Sequence, residues 1–117
     1  MNSTKRDCYC LIQETAIKRS PFCPWCGSPS VVGHHLFKRD RLATAFLPEA
    51  VQGMCDFHHH HWHAHPKEFA EEMKKRIGVE TYDKLRQLSY TVTKNMDYKA
   101  MRKNLQVMLE GLDGEDI

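Results

Sequence analysis

The chain has 117 residues, with 17 Lys and Arg against 15 Asp and Glu, and a formal net charge of +2 when its eight histidines are neutral. That length bounds it to one domain with a modest core. The balanced charge excludes a basic arm or tail, and the lack of any long apolar run excludes a membrane span. The opening residues, MNSTKRDCYCLIQ, hold no apolar stretch of the kind a secretory signal needs, so the expected location is the cytoplasm. Cys8, Cys10, Cys23, Cys26 and Cys55 make an odd count. In a reducing compartment close cysteine pairs read as metal ligands rather than disulfides.

In chain order, residues 4–19 form a helix with untidy apolar spacing, which Ser20-Pro21 ends. Cys23-Pro-Trp-Cys26-Gly is a tight turn. It is followed by Val31-Val32-Gly33, read as a β-hairpin leading into His34-His35-Leu36-Phe37. Residues 38–50 form a loop with about one helical turn, and Val51–Met54 form a second short extended piece. Pro66 suits a first helical position. Phe69, Met73 and Ile77 then recur at helical spacing, and Gly78 caps that helix. A further helix starts near Glu80 with Tyr82, Leu85 and Leu88 inward. A last one starts near Asp97 with Tyr98, Met101, Leu105, Met108, Leu109 and Leu112 on one face, ending at Gly111 and Gly114. That stripe is core, or a face for a second copy.

All eight histidines lie in two places: His34-His35, and six between Met54 and Phe69. Cys23-x-x-Cys26 and Cys55-x-x-His58 have the spacing of two half-sites for one tetrahedral zinc. Such a Cys3His site would staple the turn to a point 29 positions downstream and would decide the stability of a small domain. Cys8-x-Cys10 is a competing second pair; its alternative reading is two small apolar residues on a helix. With His58 assigned to zinc, His59-x-x-x-His63 places two imidazoles on one helical face, able to grip a second divalent ion. A third ligand must come from His34-His35. His60, His61 and His65 exceed the ligand count, and Trp62 reads as a packing residue.

At this point the residues resemble the HNH, or ββα-metal, nucleases. The order Cys23-Pro-Trp-Cys26, Gly33-His34-His35-Leu36, Cys55-Asp-Phe-His58 and His59…His63 follows that family's pattern over residues 21–65. The resemblance implies an α+β fold: a zinc-stapled ββα-metal core over 21–77, an N-terminal helical arm over 1–20 and a helical extension over 78–117 packed on the core. It implies His34, His59 and His63 as ligands of a catalytic Mg2+, Mn2+, Ni2+ or Zn2+ ion. His35 is then the general base, its tautomer fixed by a backbone carbonyl so that Nε2 faces water. The implied activity is DNA phosphodiester hydrolysis leaving 5′-phosphate and 3′-hydroxyl ends. Lys38, Arg39 and Arg41, on the following loop, would contact backbone phosphates.

A narrower resemblance covers most of the chain from Cys23 through RIGVETYDKLRQL. It is to the lambdoid phage NinG (Rap) recombination family, which implies a phage or prophage protein acting on double-stranded or branched DNA in a bacterial cell. In that register His34 rather than His35 is the base. The chain departs from the nuclease pattern at Ala50, where the family carries an Asn that tethers the hairpin loop; Gln52 is the nearest substitute. Beside the nuclease stand two other readings: a zinc-stabilised DNA-binding recombination accessory without cleavage, and a metal-sensing or storage protein.

Overall fold

A computed structural model of the chain describes residues 3–115. Among them run α1 (Ser3–Arg19), β1 (Val32–His35), α2 (Leu42–Ala45), a 3-10 turn (Pro48–Ala50), β2 (Val51–Met54), α3 (Asp56–Ala64), α4 (Pro66–Ile77), α5 (Val79–Ser89) and α6 (Tyr98–Glu115). The architecture is α+β, with two antiparallel strands and six helices.

The strands pair Val32 with Met54, Gly33 with Gly53, His34 with Gln52 and His35 with Val51. The partner of the first strand is thus the distant Val51–Met54, not a neighbour in the cysteine turn. That turn closes on itself through an isolated bridge between Phe22 and Pro29. Its corner is Gly27 at φ +77°, a conformation that costs glycine nothing and any side chain a strain. The Cys23 N–H donates to the Ser28 carbonyl and the Gly27 N–H to the Cys23 carbonyl, aiming both sulfurs to one side.

Strand alternation sorts the residues between two cores. Val51 joins Cys8, Tyr9, Ile12, Ala16, Phe46 and Leu105 on the α1–α6 side. Met54 joins Cys23, Trp62, Phe69, Met73 and Tyr82 on the α3–α4–α5 side. The hairpin lies between the two, so the adjacent His34 and His35 point to opposite faces of the sheet.

Helix α1 sits directly on the hairpin backbone. A Cβ on Gly53 would lie 2.6 Å from the Ala16 carbonyl oxygen, and one on Gly33 2.9 Å from the Ala16 Cβ. Two paired glycines therefore set how closely helix and hairpin approach. The Gln13 carboxamide takes both main-chain groups of Gly33, accepting from its N–H at 2.7 Å and donating to its carbonyl at 2.8 Å. Within the arm expected over residues 1–20, α1 supplies Cys8, Tyr9, Ile12 and Ala16 to one core. The apolar spacing looks untidy because α1 meets α6, the hairpin and the 3-10 turn on different sides.

The α6 stripe is used inside the chain. Leu105 is buried, Arg102 pairs with Asp7 at 3.0 Å, and the Cys8 thiol donates to the Tyr98 carbonyl at 3.3 Å. Asp97 caps the helix by accepting from the Ala100 N–H. Three expectations change here. Helix α6 runs through Gly111 and Gly114 rather than stopping there, Met108 is exposed, and on α5 it is Ser89, not Leu88, that is buried. No helix among the described residues is long and apolar enough to cross a membrane.

Candidate functional site

Cys23, Cys26, Cys55 and His58 converge. Cys26 Sγ lies 3.6 Å from Cys55 Sγ, and His58 Nδ1 lies 3.5 Å from Cys23 Sγ and 3.4 Å from Cys55 Sγ. Metal–sulfur bonds of about 2.3 Å and metal–nitrogen bonds of about 2.0–2.1 Å give a tetrahedron with edges of roughly 3.6–3.8 Å. The spacing matches those edges, and it is far longer than a disulfide bond of about 2.05 Å. The donor set fits zinc, and this Cys3His site could hold a structural metal.

Local structure puts the four donors there. Cys55 is the N-cap of α3 and its sulfur accepts from the His58 N–H, so capping aims the second half-site. Hydrogen bonds from Ser28 hold the Cys26 thiol down at about 6, while burial pushes the Cys55 thiol up. Cys26 is thus largely thiolate at neutral pH, and the remaining protons leave as metal binds. Trp25 packs with its ring tilted against His58 and edge-on to Trp62 and Phe69, walling the cluster from one side. Cys8 and Cys10 take no part: Cys8 is a small buried residue in the α1 core, and Cys10 is exposed on α1.

A second group forms on the opposite side of α3, where His34, His59 and His63 bring one ring nitrogen each within 4.8 Å of one another. The Nδ1 atoms of His34 and His59 are 3.1 Å apart. For metal–nitrogen bonds of about 2.1 Å, that separation corresponds to an angle of roughly 95° at a shared ion. His34 is buried, with its ring 4.4 Å from the Phe69 ring on α4, which fixes its rotamer. Burial, followed by the neighbouring charges of His63, His59 and His35, pushes its pKa down to about 3. It is therefore neutral, as a ligand must be. Burial also lowers His59, followed by the charges of His63 and His60. His63 is exposed, so one side of the trio stays open to solvent. An open side is what separates a working metal site from a closed structural one.

His35, on the other face of β1, donates Nε2–H to the Ala45 carbonyl at 2.9 Å. The expected backbone carbonyl is present, but on the opposite ring nitrogen: Nδ1, not Nε2, is the free basic atom. Burial lowers its pKa, opposed by the Ala45 bond and reinforced by the Arg39 charge.

His35, His59 and His63 line one cleft of about 540 Å3. Its floor is β1, one wall is α3, and the other is α1, through Arg6, Tyr9, Cys10 and Gln13. Those four residues fall at i, i+3, i+4 and i+7, one helical face. Sequence reasoning missed Arg6, Tyr9 and Gln13, because a polar face on an irregular helix signals nothing until its neighbour is known. That periodicity was the available clue.

The three cations of the loop after β1 separate. Arg39 lines the cleft, with its guanidinium 4.4 Å from the Tyr9 ring centre, while the Tyr9 hydroxyl donates to the Arg39 carbonyl at 2.8 Å. Lys38 is exposed beside it. Arg41 turns away, donating to Ser89 Oγ and lying over the Tyr90 ring. Gln52, the expected substitute for the missing Asn, is buried and donates to Ser20 Oγ and the Gly53 carbonyl instead. His60 pairs with Asp56, and His61 packs between Phe57 and His65; neither enters a metal cluster. Trp62 is buried, with its indole N–H unpartnered among the described residues. No known family model, curated protein or solved structure matches the chain.

Proposed function

We propose that the protein is a metal-dependent DNA endonuclease of the HNH (ββα-metal) kind, with a structural zinc at the Cys3His site and a catalytic divalent ion at His34, His59 and His63. The observation that carries the reading is the convergence of three imidazoles, open on one side, two of which, His59 and His63, line the same cleft as a fourth imidazole whose tautomer is fixed. A histidine cluster serving storage or sensing has no need of that fourth group.

When bound, the divalent ion supplies Lewis-acid neutralisation of charge on the scissile phosphate. The chain's own residues supply the rest. Ala45 holds His35 in the Nε2–H tautomer, so Nδ1 is free to take a proton from a water molecule. The water oxygen bonds to phosphorus as the bond to the 3′ oxygen breaks, leaving 5′-phosphate and 3′-hydroxyl ends. Phe69 and the burial of His34 hold that ligand still, and Gln13 fixes the strand carrying both histidines. An all-imidazole donor set suits Ni2+ and Zn2+ better than Mg2+, which prefers oxygen. A phage recombination setting, with branched DNA as the substrate, fits the narrower sequence resemblance.

Incubation of zinc-loaded protein with supercoiled plasmid and added Ni2+, Mn2+ or Mg2+ tests the reading. Nicking is expected in the wild type and lost in His35→Ala with the fold retained. A wild type inert with every ion refutes it. The second reading is a DNA-binding accessory without cleavage. It is favoured by Ala50 at the tether position and by Gln52 being turned to Ser20; gel shifts of branched DNA without nicking would establish it.

A further inference from the structure

We infer that Arg6 and Arg39 form a phosphate subsite, built across the α1 wall of the cleft, that holds a backbone phosphate adjoining the scissile one. The inference rests on the DNA endonuclease reading and adds to it a part for the N-terminal helix.

Three observations converge. First, no Asp or Glu lines the cleft, whereas two arginines and two imidazoles of the metal cluster do. A concave site with one sign of charge and no counter-ion concentrates anions. Second, neither Arg6 nor Arg39 has an ion-pair partner among the described residues. Other cations do: Lys74, Lys75, Lys84 and Arg102 pair with Glu71, Glu72, Glu80 and Asp7. Third, Arg39 is held in place: its guanidinium lies over the Tyr9 ring and its own carbonyl accepts from the Tyr9 hydroxyl. A guanidinium already placed loses little freedom on binding, and its planar fork matches two phosphate oxygens. Arg6 lies on the same α1 face as Tyr9 and Gln13, less than one helical turn before Tyr9. The wall of the cleft that carries no metal ligand is thus the wall that carries the arginines. A strand whose scissile phosphate lies at the imidazoles would run past them with its next phosphate.

Such a contact is equal in ground and transition states. Its loss therefore raises KM and leaves kcat unchanged. The test measures binding of a short fluorescein-labelled DNA duplex to zinc-loaded protein by anisotropy across a salt series, without added second metal. Arg6→Gln is expected to reduce the slope of log affinity against log salt by about one unit, the loss of about one phosphate contact. Lys84→Gln, which removes an ion-paired lysine of α5, leaves the slope unchanged. Arg39→Gln is expected to match Arg6→Gln. Should that variant unfold through loss of its packing on Tyr9, the exposed Arg6 carries the test alone. In plasmid nicking, Arg6→Gln is expected to raise KM several-fold at constant kcat. An unchanged salt slope in Arg6→Gln overturns the subsite while leaving the nuclease reading intact. A reduced slope in a protein that never nicks supports the subsite and refutes the nuclease. A fall in kcat at constant KM would place Arg6 on the scissile phosphate and overturn the subsite as stated.

Discussion

Replacing Gly53 with alanine places a methyl group where the backbone of α1 already lies. The new Cβ would sit 2.6 Å from the Ala16 carbonyl oxygen and 2.8 Å from the Ser20 carbonyl oxygen. Both obstacles are main chain, so no rotamer change relieves the clash. The end of α1 must withdraw from the hairpin until the contact reaches about 3.4 Å, a shift of about 0.8 Å. Overpacking of this kind costs about 1–3 kcal/mol. The same shift lengthens the paired Gln13–Gly33 hydrogen bonds, now 2.7 and 2.8 Å, past useful range, at about 1 kcal/mol each. The total is about 3–5 kcal/mol, or roughly 10–20 °C in Tm for a domain of this size. Circular dichroism melts of zinc-loaded wild type and Gly53→Ala read this directly. Gly111→Ala is the internal comparison: a Cβ there meets nothing within 4 Å and the position is inside α6. That substitution is expected to stabilise by about 0.5–1 kcal/mol. A Gly53→Ala variant that melts within about 3 °C of wild type would refute the direct seating of α1 on the hairpin.

Removal of one zinc ligand, Cys26→Ser, is expected to abolish the tight zinc equivalent and, with it, cooperative unfolding. Structural zinc contributes about 10–16 kcal/mol in small domains, against a net stability of about 5–15 kcal/mol; metal analysis and a melt check both. With zinc kept at the Cys3His site and no second ion added, the protein is expected to lose stability as pH falls. His34 binds a proton below about 6.5 when unfolded but only near 3 when folded, so the unfolded state gains protons first and is favoured as pH drops between those values. Melts between about pH 6.5 and 5, above the usual carboxylate range, would show the decline in wild type and its flattening in His34→Gln. Gln13→Ala, which frees the Gly33 main chain, is expected to lower Tm by a few degrees and kcat more than KM, as read by plasmid nicking kinetics.

The paired half-sites of the two donor sets were legible in the sequence because each pair is local: Cys23-x-x-Cys26, Cys55-x-x-His58 and His59-x-x-x-His63 encode their own geometry through a turn, an N-cap and a helical repeat. The helix Pro66–Ile77 was legible for the same reason. What could not be read depends on residues distant in sequence. Which strand pairs with β1 is decided by the facing glycines at 33 and 53, whose value appears only when α1 lies on them. The cleft wall Arg6–Tyr9–Cys10–Gln13 has no apolar signature, and α1's contact with α6 joins opposite ends of the chain. The inward choice of Ser89 over Leu88 follows from Arg41 reaching its hydroxyl across 48 positions. The direction of His35 was half legible: a carbonyl partner was expected, but the ring nitrogen it engages depends on where α2 places Ala45.

The central claim is that His34, His59 and His63 hold the working ion and that their neighbours do not. Plasmid nicking with added Ni2+ by His63→Ala, compared with His60→Ala and His61→Ala, tests it most directly, because all three substitutions lie on the same short helix and leave the Cys3His site intact. Loss of nicking in His63→Ala alone, with zinc content and melting temperature unchanged, is the expected result. Equal nicking by His63→Ala and wild type would contradict it.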